Sequence, residues 1–254
     1  MYLNEDYAEH DQDALFDLIE EHRLGVLTTA IESDSFPFLQ STHIPFVLDR
    51  KGGKKGILRG HIARANPHAK QLVQYHRSKL EQAGSSSDPH VPTDRVSTIF
   101  THKTQAYVTP RFYLETKPST GKVVPTWNYA AVEVRGALRI RESGEYIVKQ
   151  ISDLTSDMER SFNPSENTKS ENDQRTQDYE GWKVSDAPER YVNLMTKAIV
   201  GIEIEIENIE GKYKMSQNKT GGDLTGVIEG FKSLNTEEAR EMADLIQARS
   251  KNSR

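Results

Sequence analysis

Residues 123–136 read VVPTWNYAAVEVRG, and the two halves of this stretch differ in character. The second half alternates apolar and polar side chains, as a β-strand with one buried face does. The first half places Trp127, Asn128 and Tyr129 side by side, and Trp127 is one of only two tryptophans in the chain. Such aromatic side chains suit stacking on a planar ring or packing at a barrel corner. We therefore predict a strand over residues 127–141 that begins at a ligand site or a packing site.

Six further segments outside this stretch are rich in β-branched residues or alternate in polarity. They cover residues 24–31, 38–48, 57–62, 96–102, 105–110 and 199–210, and each predicts a strand. Pro45 inside the second segment indicates a sheet edge or a bulge. In the last segment isoleucine alternates with glutamate, so we expect Glu203, Glu205 and Glu207 to face solvent.

Helical spacing of apolar residues predicts the remaining regular structure. The predicted helices lie at residues 11–23, from 66 onward, at 145–160 and 191–199, with two more within 222–254. Polar segments at residues 81–93, 117–123 and 163–180 are expected to be flexible insertions into a single domain spanning residues 1–254. Strands with short turns and flanking helices favour a closed or partly closed β-barrel with peripheral helices, an α+β fold. An α+β sandwich is the alternative.

The composition narrows the functional classes. The chain has 254 residues, a net charge of −5 and no cysteine, which excludes disulfides, zinc–thiolate sites and a cysteine nucleophile. An acidic chain argues against a dedicated nucleic-acid binder. The acidic start and the lack of a long apolar run predict no secretory signal and no membrane span. We expect a cytoplasmic protein, with a nuclear location also compatible.

Two short stretches have the chemistry of an anion site. In GHIARANP, residues 60–67, Arg64 follows a strand and Asn66 precedes a helix, so a guanidinium and free helix N–H groups could hold a phosphate. In SQNK, residues 216–219, a lysine follows two amides and a hydroxyl. The alternatives are that Asn66 only caps the helix and that residues 216–219 form an ordinary polar loop.

The histidines do not predict a metal centre. His43 and His61 fall on predicted strands, where a core or cross-strand role is common, and no spacing brings several ligands together. The sequence contains no G-x-S-x-G element, so a serine-hydrolase site is not indicated.

Four blocks together resemble one known family. THIPF (residues 42–46), GHIARANP (60–67), VPTWNYAAVEVRG (124–136) and YKMSQNK (213–219) occur in the order found in the PaiB family of FMN-binding split barrels. The resemblance extends over residues 1–242. It implies a six-stranded split β-barrel, a homodimer, and FMN in a groove between the two subunits. It also implies that basic and hydroxyl side chains at strand ends hold the phosphate.

The resemblance and the local chemistry together give the expected cofactor contacts. These residues are Thr42, His43, His61, Arg64, Asn66, Trp127, Asn128, Tyr129, Gln217, Asn218 and Lys219. The expected activity is that of an FMN-dependent oxidoreductase or a regulatory flavoprotein. No catalytic residue is predicted, because a flavin supplies the reactive group itself.

Two alternative functions remain open. The first is a heme-binding or heme-degrading barrel, for which the axial ligand would be His43, His61, His68 or His102. The second is a non-enzymatic transcriptional regulator. Direct DNA binding is not expected, because the sequence has neither a helix-turn-helix pattern nor a basic stripe.

Overall fold

The computed structural model describes residues 1–83, 94–162 and 181–251. The chain divides into two compact units. The first unit comprises Met1–His22, Ile99–Val134 and Ile209–Arg254, and the second comprises Arg23–Thr98 and Arg135–Asn208.

Nine strands and seven helices lie within the described residues. The strands are β1 (Ala8–Glu9), β2 (Leu24–Ala30), β3 (Leu39–Pro45), β4 (Val47–Asp49), β5 (Ile57–Ala63), β6 (Asp94–Thr101), β7 (Ala106–Val108), β8 (Thr126–Arg141) and β9 (Ile199–Lys214). The helices are α1 (Gln12–Glu21), α2 (Pro67–Ala83), α3 (Thr116–Thr120), α4 (Gly144–Ser161), α5 (Glu189–Lys197), α6 (Gly221–Ser233) and α7 (Glu237–Lys251). Short 3₁₀ helices occupy Pro110–Phe112 and Val184–Asp186. No helix in these described segments has the length and apolar character needed to cross a membrane.

The strands form an antiparallel sheet with helices at its periphery. Their order is β3-β2-β6-β8-β9-β5-β4, with β1 paired to β9 and β7 paired to β8. The count of nine exceeds the expected six for two reasons. Strands β1 and β7 are short additions, and the predicted strand over residues 38–48 is divided at Phe46.

The division at Phe46 follows from the residue before it. Proline has no N–H to donate to a ladder, so a strand rarely continues through it. Up to Pro45 the chain pairs with β2, whereas from Val47 it pairs with β5. The edge expected at Pro45 is therefore present, because β3 lies at one end of the strand order.

Each unit has its own apolar core. In the second unit, Leu27, Ile44, Leu58, Leu138 and Ile202 are at most 1% exposed. Burying a side chain of this size stabilises a fold by roughly 1.5–3 kcal/mol. This core fixes the strands that carry the cavities described below.

The first unit buries a separate set of apolar side chains. Leu18, Phe100, Val132 and Met242 are almost completely excluded from solvent. They come from α1, β6, β8 and α7. Among these elements, β8 carries the predicted site residues Trp127, Asn128 and Tyr129.

The expected exposure of the β9 glutamates is only partly correct. Glu203 is 8% exposed and its carboxylate lies 2.6 Å from the guanidinium of Arg141. Glu205 pairs with Arg139 at 2.8 Å and is half-buried, whereas Glu207 remains exposed. Alternation along β9 showed that the glutamates share one face. It could not show that arginines of β8 lie beside these glutamates, where their charge offsets the free-energy cost of burying a carboxylate.

The three predicted insertions differ in what can be said of them. Most of residues 81–93 and all of residues 163–180 lie outside the described residues. In the third, residues 117–123, the short helix α3 ends at Gly121, whose φ of 65° is left-handed. Glycine takes this conformation without the steric cost that other residues incur.

Candidate functional site

An apolar cavity lies beside His61 in the second unit. Its volume is about 260 Å³, and α4, α5 and the segment between them line most of it. Trp182 and Tyr191 contribute aromatic side chains, and Ile151, Leu154 and Met195 contribute aliphatic ones. Concave, mostly apolar sites with a few polar groups are the usual form of small-molecule sites.

A second, more polar cavity adjoins the first. Its volume is about 410 Å³, and it shares Thr155, Trp182 and Val184 with the apolar cavity. Its polar lining consists of Ser152, Thr155, Ser156, Glu159, Arg160, Lys183 and Ser185. The two cations and four hydroxyls can hold an anion, which would compete with Asp157 for Arg160 and lie near the Glu159 carboxylate. The two cavities together can therefore take a ligand with an apolar ring at one end and a negative charge at the other.

The position of His61 in this site is fixed by α4. The Nδ1 atom of His61 lies 2.7 Å from Oε1 of Gln150, which is fully buried. Because that amide oxygen can only accept, Nδ1 donates, and in the tautomer with its proton on Nδ1 the Nε2 atom carries the lone pair. His61 is therefore prepared to accept a hydrogen bond from a ligand.

Helix α4 is also tied to β5 by charge. The Asp153 carboxylate accepts from Arg59 at 2.6 Å and from Lys149 at 2.8 Å. Burial disfavours the charged carboxyl, but these two cations outweigh it and lower the pKa of Asp153. The pair of Asp153 with Arg59 holds the wall formed by α4 in place beside His61.

Thr42, also in the second unit, belongs to a buried group of hydrogen-bonded side chains. The hydroxyl of Thr42 is 2.9 Å from Nδ1 of His68, and that of Thr29 is 2.8 Å from Nε2. Burial lowers the pKa of His68 to about 4, so the ring is neutral and donates to one threonine while accepting from the other. Both nitrogens are engaged, so His68 has none left for a heme iron.

Asn66 and Arg64 each have a protein partner. The Asn66 side chain accepts the N–H of His68 at 2.9 Å, so the prediction of a cap at the start of α2 is confirmed. Arg64 donates to Glu142 at 2.6 Å and to the carbonyl of Lys197 at 3.1 Å. A phosphate at this position would have to compete with Glu142 for the guanidinium.

Asn128 belongs to a buried group in the first unit. It is fully buried, its oxygen accepts from the Ser216 hydroxyl at 3.0 Å, and its amide lies 3.9 Å from the sulfur of Met242. The arrangement joins the start of β8 to the loop after β9 and to α7. The predicted residues near 128 and near 217 are thus brought together through Ser216.

The aromatic neighbours of Asn128 lie on the opposite face of β8. Trp127 is 48% exposed, donates to Gln105 at 3.1 Å and meets the Tyr107 ring edge-on at 6.3 Å. Tyr129 is half-buried, with the Lys212 ammonium 5.1 Å from its ring centre. These aromatic side chains remain accessible to a partner or a ligand.

The residues of the SQNK stretch mostly serve their own loop. Gln217 accepts from the N–H of Met215 at 2.6 Å and donates to the carbonyl of Tyr213. The Lys219 ammonium lies 4.7 Å from the ring centre of Tyr113. Asn218 is exposed.

Two of the predicted histidines lie apart from these groups. His43 is exposed on β3, and His102 is buried in the first unit beside His22. The predicted contacts therefore divide between the units: Thr42, His43, His61, Arg64 and Asn66 belong to the second, and the others belong to the first.

Sequence reasoning missed the main walls of the cavity beside His61. Trp182 is the second of the two tryptophans, and together with Tyr191 it follows directly on the polar segment 163–180. An aromatic residue soon after a long polar segment was a signal in the sequence that could have indicated a buried or ligand-binding position. Gln150 gave none, because its contact with His61 depends on how α4 packs.

Comparison with known proteins shows which family the chain matches. A family model described as "Putative FMN-binding domain" matches residues 1–208. The uncharacterized protein AN0679 of Emericella nidulans is 42% identical over 260 residues, which cover 98% of this chain and 97% of the relative. The protease synthase and sporulation protein PAI 2 of Bacillus subtilis is 24% identical, with 97% of each chain covered.

Solved structures resemble the chain less closely. The conserved hypothetical protein Rv2991 of Mycobacterium tuberculosis gives a TM-score of 0.47 at 14% identity, over 87% of this chain and 95% of that one. The flavocytochrome Anf3 of Azotobacter vinelandii gives 0.45 at 11% identity, over 84% and 70%.

Proposed function

Since the chain belongs to the family described as "Putative FMN-binding domain", we propose that it binds FMN in the two adjoining cavities of the second unit. The observation that carries this proposal is their complementary chemistry. FMN joins a planar, largely apolar ring to an anionic phosphate. The apolar cavity offers aromatic walls, and the polar cavity offers cations and hydroxyls.

In this arrangement the isoalloxazine ring lies against Trp182 and Tyr191. His61, at the edge of the same cavity, accepts a hydrogen bond from the ring through its Nε2 lone pair. The phosphate lies near Lys183 and Arg160 and accepts from the serines of the polar cavity. The flavin supplies the redox chemistry, and the protein binds and orients it.

The experiment that tests the site is a titration of flavin fluorescence with two tryptophan variants. Trp182→Ala removes a wall of the proposed site, whereas Trp127→Ala removes the other tryptophan, which lies in the first unit. We expect FMN affinity to fall about tenfold in Trp182→Ala, because a lost aromatic contact costs about 1–1.5 kcal/mol. We expect it to be unchanged in Trp127→Ala. The opposite result would place the flavin at the residues around Asn128.

The phosphate end can be tested separately. FMN and riboflavin differ only in the phosphate, so their affinity ratio measures the contribution of the polar cavity. We expect Lys183→Gln to reduce that ratio several-fold while leaving riboflavin binding unchanged. Lys232→Gln, an exposed lysine of the first unit that pairs with Glu229, is the matched control.

We also propose that β3 and β4 act as one bent strand, so that the sheet supplies six strands to a split barrel. Their partners support this, because β3 pairs with β2 and β4 pairs with β5, and these lie near opposite ends of the strand order. The six strands are then β2, β3 with β4 counted as one strand, β5, β6, β8 and β9.

We further propose a homodimer. Phe38 immediately precedes the edge strand β3 and Leu39 begins it, with exposed fractions of 54% and 62%. A sheet edge of this kind gains free energy from being covered. Light scattering during size exclusion should give twice the chain mass of 28.8 kDa. Leu39→Asp should return the protein to the monomer mass.

The activity we propose is that of an FMN-dependent oxidoreductase. The test is anaerobic reduction of the bound flavin by NADH or NADPH, followed by reoxidation with a quinone or oxygen. Turnover supports an enzyme. A bound flavin that no nicotinamide reduces would favour the regulatory alternative.

A further inference from the structure

Three potential metal ligands converge in the first unit, away from the cavities. Glu21 is the last residue of α1, and His22 follows it as the C-terminal cap, with its N–H donated to Leu18 at 3.0 Å. His102 follows β6 directly, and its N–H is held by the carbonyl of Ala130 at 3.0 Å. The two imidazole rings meet edge-on with their centres 4.3 Å apart.

One nitrogen in this group stands out by its lack of a hydrogen bond. The Nε2 atom of His22 is shielded from solvent, and no donor or acceptor in residues 1–83, 94–162 and 181–251 lies in reach of it. Buried polar atoms in folded proteins nearly always have a partner, since an unmade hydrogen bond is costly. A shielded imidazole nitrogen without a hydrogen-bond partner, on a ring that contacts a second histidine and lies next to a carboxylate, is therefore a candidate metal ligand.

We propose that Glu21, His22 and His102 bind one divalent transition-metal ion of the zinc or cobalt class. One ligand atom from each residue lies within 4.8 Å of the other two. Two imidazoles and a carboxylate form a donor set that suits these ions. Metal–ligand bonds of about 2 Å require the three atoms to draw closer, and the exposed Glu21 side chain can supply most of that movement.

The surroundings of His102 set a limit on the affinity. The N–H of Thr104 donates to Nδ1 of His102 at 3.0 Å, so in the neutral ring the proton is on Nε2. A metal must either take the Nδ1 lone pair or move the ring proton to Nδ1. Both routes cost the Thr104 hydrogen bond, which lowers the affinity about tenfold. Binding must therefore change the environment of the Thr104 amide.

A neighbouring cation is paired with a carboxylate. Lys103 lies next to His102 in sequence, and its ammonium is 3.3 Å from the carboxylate of Glu241. The ion pair reduces the repulsion that Lys103 would exert on a metal ion. In the bound state the metal would tie the end of α1 to the turn after β6, and it would act on stability rather than on the flavin.

The experiment titrates the full chain with Co²⁺ and with Zn²⁺. The protein is made without a histidine tag and is treated with chelator beforehand. We expect one ion per chain, visible Co²⁺ absorption bands, a rise in melting temperature, and a shift of the Thr104 amide resonance. His22→Gln and His102→Gln should each lower affinity at least about tenfold. His10→Gln is the matched control, because this exposed histidine of the same unit pairs only with Glu5 at 3.2 Å.

Two outcomes overturn the proposal. The first is the absence of saturable binding by the unmodified chain. The second is equal affinity in the unmodified chain and in Glu21→Gln, which changes an exposed side chain and leaves the fold intact. If either histidine variant fails to fold, Glu21→Gln and the Thr104 resonance decide the question by themselves.

Discussion

His68 in the second unit and His22 in the first have similar surroundings but opposite hydrogen bonding. The pKa of each ring is lowered to about 4, for His68 by burial and for His22 by burial first and then by the neighbouring His102. His68 engages both nitrogens with threonine hydroxyls, whereas Nε2 of His22 has no partner in the part of the chain that the structure describes. Burial alone therefore does not identify the role of a histidine. A ring with both nitrogens satisfied stabilises the fold, and one with an unsatisfied nitrogen is available to a ligand.

The largest expected effect is that of His68→Ala. The change removes a ring that is 1% exposed and leaves the hydroxyls of Thr29 and Thr42 without their partner. We expect the free energy of unfolding to fall by about 4 kcal/mol, from the cavity and the two lost hydrogen bonds together. Urea denaturation measures it. His43→Ala, at an exposed position of β3, should cost less than about 0.5 kcal/mol.

Acid should weaken the fold through the same residue. The pKa of His68 is about 4 in the folded protein and about 6.5 in the unfolded chain, so the unfolded chain takes up the proton first as pH falls. Stability is therefore complete above about pH 6.5 and declines towards pH 4, by at most about 3 kcal/mol. Denaturation at a series of pH values is measured in a variant that carries His22→Leu and His76→Leu, which removes the two other histidines whose pKa is lowered in the folded protein. An NMR titration of His68 centred near pH 6.5 would refute it.

A smaller loss is expected from Thr42→Val. Valine keeps the shape of threonine but leaves one His68 nitrogen without a partner, which costs about 1.5 kcal/mol. The matched change is Thr28→Val, because Thr28 bonds only to the Ser41 hydroxyl, at 2.9 Å in an exposed position. We expect the second variant to differ from the parent by less than about 0.5 kcal/mol. Equal losses in the two variants would show that the His68 group is not special.

The smallest effect is expected from His22→Leu in metal-free protein. Leucine has a similar volume and removes the unsatisfied nitrogen, so the change should lie within about 0.5 kcal/mol of zero. Thermal denaturation in the presence of chelator is the measurement. A loss above about 2 kcal/mol would mean that Nε2 of His22 has a partner in solution and that the contrast with His68 is smaller than the structure indicates.

Local signals predicted the elements well. Alternation over residues 127–141 predicted β8, which runs Thr126–Arg141, and the Asn66–Pro67 pair predicted the start of α2. Both signals come from residues close together in the sequence: the alternation of side-chain polarity in the first case and the helix cap in the second. That is why the sequence alone was sufficient.

Contacts between distant residues were not predictable in the same way. Burial of Glu203 depends on Arg141 of the neighbouring strand, and the approach of His22 to His102 joins residues far apart in sequence. His61 was predicted as a cofactor contact, but the walls of its cavity come from α4 and α5. A single sequence carries no signal for which helix face meets which strand.

The division of one strand at Phe46 has a consequence for the order of folding. Strands β2 to β5 form two local hairpins joined at Pro45, and both can pair as soon as the first quarter of the chain exists. The pairing of β5 with β9, as in Leu58 with Ile204, joins residues more than half the chain apart. Loop closure of that length is slow. During synthesis the edge of β5 that pairs with β9 therefore remains unpaired until β9 has been translated.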